Sequence, residues 1–288
     1  MSRRSGRRGT RSVELWLGVA VLVAITVLSF VAPQLTGHGP DEFVGAPFEP
    51  PSSSFWFGTD SLGRDVFVRT FTAAHVDYVI AGVGVIVSLM IGTALGVLAG
   101  SARSGVWGTG LMRITDALIA VPFPLIILMV VVGIDTSFGP SFLPPGVMQV
   151  LFAVFIVDWA IYARLSRAET SSLRGRDFIV AASLMGYSRS RIVLRHIAPH
   201  VAATTVTYAV ADAVLIVGFA ASLPFLGAGI PPPTAEWGTM MYEGRGVLDF
   251  AWWLMLFPGL ALAMSAVAAA FIADSLLARQ GRSGMELA

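Results

Sequence analysis

Long apolar runs separated by short polar connections are the dominant pattern along this 288-residue chain. Each run is close to the ~20 residues that a helix needs to cross the hydrocarbon core of a bilayer. The pattern therefore predicts an all-α integral membrane protein with six transmembrane helices. We expect these helices at residues 15–32, 78–100, 117–133, 147–163, 201–222 and 251–273.

The arginines are distributed unevenly between the connections. If the N-terminus lies inside, sixteen arginines are on the inner side and only Arg64, Arg69 and Arg245 are on the outer side. Positive residues stay on the cytoplasmic side of a membrane, so both termini and the 164–200 connection are expected in the cytoplasm. The first apolar run follows five arginines, as in a signal peptide, but it is longer than a typical signal core and no small-x-small cleavage site follows. We therefore expect a retained first helix.

This topology divides the chain into an arm, a first helix with a long outer loop, a helical core and a tail. Their expected bounds are 1–12, 13–77, 78–275 (which contains the 164–200 connection) and 276–288. In the second helix, Gly92, Gly96 and Gly100 recur every four residues, a spacing that allows close helix packing within the chain or between subunits. Pro122 and Pro124 remove backbone donors from the third helix, so we expect a kink there.

Composition supports a membrane protein and excludes one kind of enzyme. The chain is 55% hydrophobic and only 13% charged, whereas about 25% of residues are charged in a typical soluble domain. Its mean hydropathy is +0.75. It contains no cysteine, and all 19 basic residues are arginine. Because a P-loop requires a lysine at the phosphates, the chain is not expected to be a standard ATPase.

The polar stretch 174–200 has a regular helical spacing that an ordinary solvent loop lacks. It contains five arginines: Arg174, Arg176, Arg189, Arg191 and Arg195. Apolar residues recur at three- and four-residue intervals on both sides of Gly186, namely Phe178, Ala181, Ala182 and Met185, then Ile192, Val193 and Ile197. The pattern predicts two short amphipathic helices joined at Gly186, with the second ending at Pro199. Such a pair is equally typical of a partner-docking element and of an interfacial pair on anionic lipid.

The segment FGTDSLGRDV at 57–66 lies on the expected outer side and is rich in turn formers. Asp60 is a candidate cap for a short helix, with Gly58 and Gly63 in the flanking turns. Arg64 and Asp65 follow closely. We expect Asp60, Arg64 and Asp65 to form a small ion cluster.

A second outer segment, 223–241, places Gly227 and Pro232 ahead of Trp237. Three consecutive prolines make this segment stiff. The simplest interpretation is a surface loop with Trp237 in the aromatic belt at the membrane interface.

No catalytic or metal-binding pattern is present in the sequence. His196 and His200 are four residues apart, but Pro199 lies between them and no carboxylate is adjacent. A metal pair is therefore not expected. The predicted helices contain no histidine that an intramembrane serine protease would need, so we expect no covalent chemistry.

Ionisable residues inside membrane helices are costly and usually functional. Glu14 and Asp116 are near helix ends, where we expect them in the headgroup zone. Asp158 precedes Arg164 by six residues and is expected to reach the interface or to pair with an arginine. Asp212 lies near the middle of the fifth helix. Two roles are equally compatible with Asp212: lining a translocation path, or a buried hydrogen bond between helices.

The 174–200 stretch resembles the "EAA" loop of permease subunits of ABC importers. That pattern is Glu-Ala-Ala, three residues, Gly and a closing hydrophobic-x-Pro, and it is matched here by Ala181, Ala182, Gly186 and Pro199. Val180 stands where the pattern has Glu, and Ala198 where it usually has Leu. The blocks GTDSLGRDV and LGAGIPPPTAEWGTMM resemble the second, "C"-type permease of dipeptide/oligopeptide importers.

The resemblance implies a type I importer permease in a bacterial plasma membrane, without an ATPase motif of its own. Its implied partners are a homologous permease, two P-loop ATPase subunits that bind ATP and Mg, an extracytoplasmic solute-binding protein and membrane lipid, but no nucleic acid. Peptide is the expected cargo, and nickel chelates or haem are the alternative cargoes. Ion-driven secondary transport is a weaker alternative for the mechanism. The implied ATPase-coupling residues are Val180, Ala181, Ala182, Gly186, Arg189, Arg191 and Pro199.

Overall fold

The computed structural model describes residues 3–102 and 105–286, with side chains described for 13–102 and 106–278. The arginines of the arm and the tail, together with Arg103, lie outside these described side chains. Within the described ranges the regular secondary structure is helical, apart from two isolated β-bridges that join Phe43 to Arg64 and Thr59 to Asp65. The α-helices are α1 (Arg3–Thr36), α2 (Val66–Ser101), α3 (Gly105–Ala120), α4 (Phe123–Gly133), α5 (Val147–Leu173), α6 (Asp177–Leu184), α7 (Arg189–Ile192), α8 (Ala198–Ser222), α9 (Trp237–Gly244) and α10 (Trp253–Glu286).

Five helical segments of the described chain are long and apolar enough to cross a membrane. They are formed by α1, α2, α5, the α7–α8 region and α10. Helices α3 and α4 provide a sixth if they count as one span, but they meet at an 88° bend. Pro122 and Pro124 lie at that bend, as the sequence predicts. The all-α fold with up to six spans is confirmed.

Helices α2 and α5 extend beyond their predicted apolar segments into polar sequence. Helix α2 begins at Val66 rather than 78, and α5 continues to Leu173 rather than ending at 163. The added turns contain polar residues such as Arg69, Ser166 and Thr170, all of them buried. The predicted apolar segments exclude these residues because hydropathy registers their polarity and not their burial. The outer loop therefore ends at Asp65 instead of 77.

The glycine stripe of α2 packs against α5 of the same chain. A Cβ atom added at Gly92 would lie 2.6 Å from the Cβ of Tyr162, and one at Gly100 would lie 2.7 Å from the Cβ of Thr170. Such distances are shorter than any normal contact, so the two backbones approach as closely as glycine permits. The stripe is thus an intramolecular contact, which was one of the two expected roles.

Candidate functional sites at the two ends of the bundle

Helix α6 presents its residues to two different environments. Ile179 and Ala182 are three positions apart and pack onto the arginine-rich end of the bundle, against residues of α2 and α8. Ala182 is only 2% exposed, whereas Phe178, Ala181 and Met185 are exposed. The predicted apolar face of α6 therefore has a buried part and an exposed part. Ala182 holds α6 against the bundle, whereas Ala181 faces outward, and the coupling role that the resemblance implies for both residues stays a prediction.

The turn after α6 depends on Gly186. Its φ angle is +81°, a region that residues with a Cβ occupy only with strain. Its N–H donates to the carbonyl of Ser183, and the next N–H, that of Tyr187, donates to the carbonyl of Ala182. These bonds close the helix in the manner of a glycine C-cap. The predicted break at Gly186 is present.

The second short helix does not end at Pro199. Helix α7 continues through a π-helical turn at Val193–Ile197 directly into α8, and Pro199 lies in the first turn of α8. The π-helical turn just before Pro199 is the kind of local adjustment that accommodates the missing N–H of a proline, so the helix continues past it. The prediction of a helix end at Pro199 is wrong for this reason.

A cleft of about 300 Å³ lies between the end of α2 and the α6–α7 region. Val180, Arg174 and Arg189 are among its lining residues. Arg174 also donates a 2.9 Å hydrogen bond to the carbonyl of Gly100. Arg191 lies outside this lining, with its guanidinium 5.2 Å from the ring centroid of Tyr187.

At the opposite end of the bundle, two buried arginines join the outer loop to α2 and α9. Arg64 and Arg69 are 2% and 1% exposed, and both contact Asp60, at 2.6 Å and 3.5 Å. Glu243 lies 3.7 Å from Arg64, and Asp41 lies 3.0 Å from Arg69. Burial raises the pKa of Glu243, although the two arginines oppose that shift. Buried charges need such partners, so this network fixes the loop on the bundle.

Asp65 has a different role from the one expected. Its carboxylate accepts a 2.8 Å hydrogen bond from the N–H of Phe67 and so caps α2. Asp60, the predicted cap, instead accepts bonds from the N–H groups of Leu62 and Arg64 within a turn. Among the described residues Asp65 makes no ion pair, and burial raises its pKa. Asp60 and Asp65 both match the sequence pattern of a helix cap. Asp65 is the cap because α2 begins at the next residue, Val66.

The glycines and Trp237 of the outer motifs are structural. Gly58, Gly63 and Gly227 all have positive φ, between +74° and +81°. Trp237 is fully buried, and its indole N–H donates a 2.7 Å bond to the carbonyl of Thr70. The interpretation of Trp237 as part of the interfacial belt is wrong. Pro232 belongs to the segment ahead of α9 and precedes a cis peptide bond to the next proline.

Asp212 is buried inside the bundle rather than exposed to a path. It is 3% exposed and accepts a 2.9 Å hydrogen bond from the hydroxyl of Tyr162, which joins α8 to α5. Asp158 is buried as well, and no arginine of the described chain pairs with it, so that expectation is wrong. Arg164 instead pairs with the exposed Asp116 at 3.5 Å. Among the described residues, no cluster of three or more His, Asp or Glu side chains could hold a metal.

Residues 92–283 match the family described as binding-protein-dependent transport system inner membrane component. The chain belongs to this family. A Brucella suis protein assigned to a peptide transport system as its permease is 36% identical over 276 residues, covering 94% of this chain and 88% of that protein. The oligopeptide transport system permease protein OppC of Bacillus subtilis is 32% identical over 247 residues, covering 84% and 76%.

The fold has a counterpart among solved structures. The MetNI methionine ABC transporter, solved in inward facing conformations, aligns with a TM-score of 0.54 and 17% identity, covering 72% of this chain and 96% of the matched chain. At that identity the likeness concerns the fold alone. Together with the family and its relatives, it makes this chain a multi-pass permease subunit of an ABC importer in the bacterial plasma membrane.

Proposed function

We propose that this chain and a homologous second permease enclose the translocation path of a di- or oligopeptide importer. The relatives named for peptide and oligopeptide transport support that cargo over nickel chelates or haem. An extracytoplasmic solute-binding protein delivers the peptide to the outer face, where the ion network of Arg64 and Arg69 holds the loop in place.

The observation that carries the coupling role is the outward face of α6. Leu184 is 84% exposed, and Phe178 and Met185 are exposed beside it at the arginine-rich end. Exposed apolar groups in a cluster mark an interaction site. ATPase subunits dock there and bind ATP and Mg, because this chain has no lysine for a P-loop.

The transmission of movement follows from the inward face of α6. ATP binding closes the two ATPases and displaces the 174–199 loop. Ile179 and Ala182 attach α6 to the ends of α2 and α8, so that displacement tilts the bundle. The path then opens to the outside, and hydrolysis resets it, as alternating access requires.

Uptake by the reconstituted importer tests this proposal. Proteoliposomes containing the assembled importer and its binding protein would receive a labelled dipeptide, a labelled pentapeptide, a nickel chelate or haem. We expect ATP-dependent accumulation of a peptide, and no accumulation with non-hydrolysable ATP. Accumulation of nickel or haem alone would contradict the peptide assignment, and uptake driven by an ion gradient without ATP would contradict the importer mechanism.

A further inference from the structure

The cleft beside α6 carries an excess of positive charge. Its charged lining residues are Arg174 and Arg189, and Ser101 and Ser183 also line it. No carboxylate belongs to this lining. Within the described part of the chain neither arginine forms an ion pair. A cationic cleft with hydroxyl donors favours an anionic group.

The uncharged side chain of Val180 leaves this cleft with a net positive charge. It is one of the lining residues and is partly exposed. In the family pattern this position is a glutamate, whose carboxylate would lie beside the two arginines and neutralise part of their charge. With valine, the lining has no carboxylate of its own, and the two exposed arginines are free to receive one from another molecule.

The position of the cleft favours a protein partner over a lipid headgroup. The apolar segment of α5 ends at Ala163, and the exposed ion pair of Arg164 with Asp116 follows immediately. Arg174 lies eleven residues beyond that end, about 16 Å along a helix. The headgroup layer is only about 5–8 Å thick on each side. The exposed Leu184, which also lines the cleft, offers an apolar contact to a protein surface.

We propose that Arg174 and Arg189 receive a carboxylate side chain of the docked ATPase subunit. The guanidinium groups match the planar carboxylate, and the exposed Ser183 offers a further donor. A glutamate at position 180 would place the negative group on the permease. In this chain the permease supplies the positive groups and the ATPase supplies the negative one. This inference rests on the proposed function, because it presumes that an ATPase docks on α6.

The test measures how strongly the immobilised importer in nanodiscs retains its ATPase subunits as NaCl is raised. Arg189→Glu is expected to weaken retention about tenfold. It should preserve α7, since a carboxylate is favourable in a first helical turn. Arg195→Glu makes the same charge change on the same loop outside the cleft lining and is the matched control. Equal retention by these two variants would overturn the proposal.

Val180→Glu gives the sharper result. Its carboxylate would occupy the cleft and compete with that of the partner, so we expect weaker retention than in the unmodified complex. Stronger retention would mean that the ATPase presents a basic group, and the proposal would be wrong. Arg189→Gln, which removes the charge without reversing it, is expected to give an intermediate loss and guards against misfolding of the Glu variant.

The lipid composition separates the two sources of negative charge. We expect the Arg189→Glu effect to be the same in nanodiscs of phosphatidylcholine alone and in nanodiscs with added phosphatidylglycerol. An effect seen only with phosphatidylglycerol would assign the cleft to a lipid headgroup and overturn the proposal.

If the unmodified complex retains no ATPase, the proposed function itself fails. If it retains the ATPase but the cleft variants behave like Arg195→Glu, only the cleft assignment fails.

Discussion

The hydroxyl of Tyr162 donates a 2.9 Å hydrogen bond to Asp212, and both side chains are buried between α5 and α8. This bond joins α8 to α5 within the chain, which is one of the two roles expected for Asp212; its part in a translocation path stays a prediction. An unpaired polar group at this depth has no water to bond. The pair therefore fixes the relative position of two spans.

Tyr162→Phe should lower the stability of the protein. The substitution leaves the buried Asp212 without this donor, a loss of about 1–3 kcal/mol. Asp212→Asn should cost less, because an amide oxygen still accepts from Tyr162. Thermal unfolding in detergent measures both changes. Tyr208→Phe is the control, since the Tyr208 hydroxyl makes no hydrogen bond to another described residue while its ring packs on Tyr162. A change in transport KM without loss of stability in Asp212→Asn would restore the path role.

Gly92→Ala should destabilise the contact of α2 with α5. The new methyl group would lie 2.6 Å from the Cβ of Tyr162 and would also meet the carbonyl of Trp159, so the helices must separate. Gly82→Ala is the matched control on the same helix, since nothing lies within 4 Å of its added Cβ. Alanine favours a helix over glycine by about 1 kcal/mol, so Gly82→Ala should keep or raise the Tm. Equal Tm values for the two variants would contradict the close contact.

Substitutions at Gly186 should follow backbone preference rather than side-chain size. Nothing lies within 4 Å of an added Cβ, but φ is +81°. We expect Asn to be tolerated best, then Ala, with Val worst, because a left-handed conformation costs L-residues about 1–2 kcal/mol and Asn least. The ratio of transport to ATP hydrolysis in the assembled importer should fall in that order. If Ala and Val preserved this ratio, the turn would not matter for coupling.

The pH dependence of stability should carry a contribution from Glu236. Burial raises the pKa of Glu236 above its ordinary value of 4.5, although the N–H groups of Gly238 and Thr239 bond its carboxylate. The folded protein therefore holds a proton that the unfolded chain has released, and stability falls as pH rises from 4.5 through the raised pKa. We expect a higher Tm at pH 5 than at pH 8. Glu236→Gln should make this dependence shallower, and an unchanged slope would assign it to another group.

The sequence predicted features that depend on neighbours along the chain. Apolar runs located the spans, Pro122 located the bend, and the pattern around Gly186 located a turn that is present. Each of these properties arises from local backbone chemistry. A proline lacks a donor and a glycine accepts positive φ in any surroundings.

The sequence did not reveal features that depend on distant parts of the chain. Arg69 looks like a residue outside the membrane, yet it is buried in α2 because it bonds the carbonyls of Pro40 and Pro233 and the carboxylate of Asp41. Ala182 and Ala181 are equivalent in the pattern, and only the packing of α6 on the bundle shows that Ala182 faces inward. Helical periodicity identifies an apolar stripe but not which part of it is already covered.

The length of α2 has a mechanical consequence. Its 36 residues form one continuous rod, about 54 Å long against a hydrocarbon core of about 30 Å. Its outer end is capped by Asp65 beside the arginine network, and its inner end reaches the cleft at Ser101. Its contacts with α5 run along the helix, from Gly84 against Val154 to Gly100 against Thr170. Because the rod is packed along its length, we expect a displacement at the cleft to be carried as one rigid movement to the arginine network at the other end.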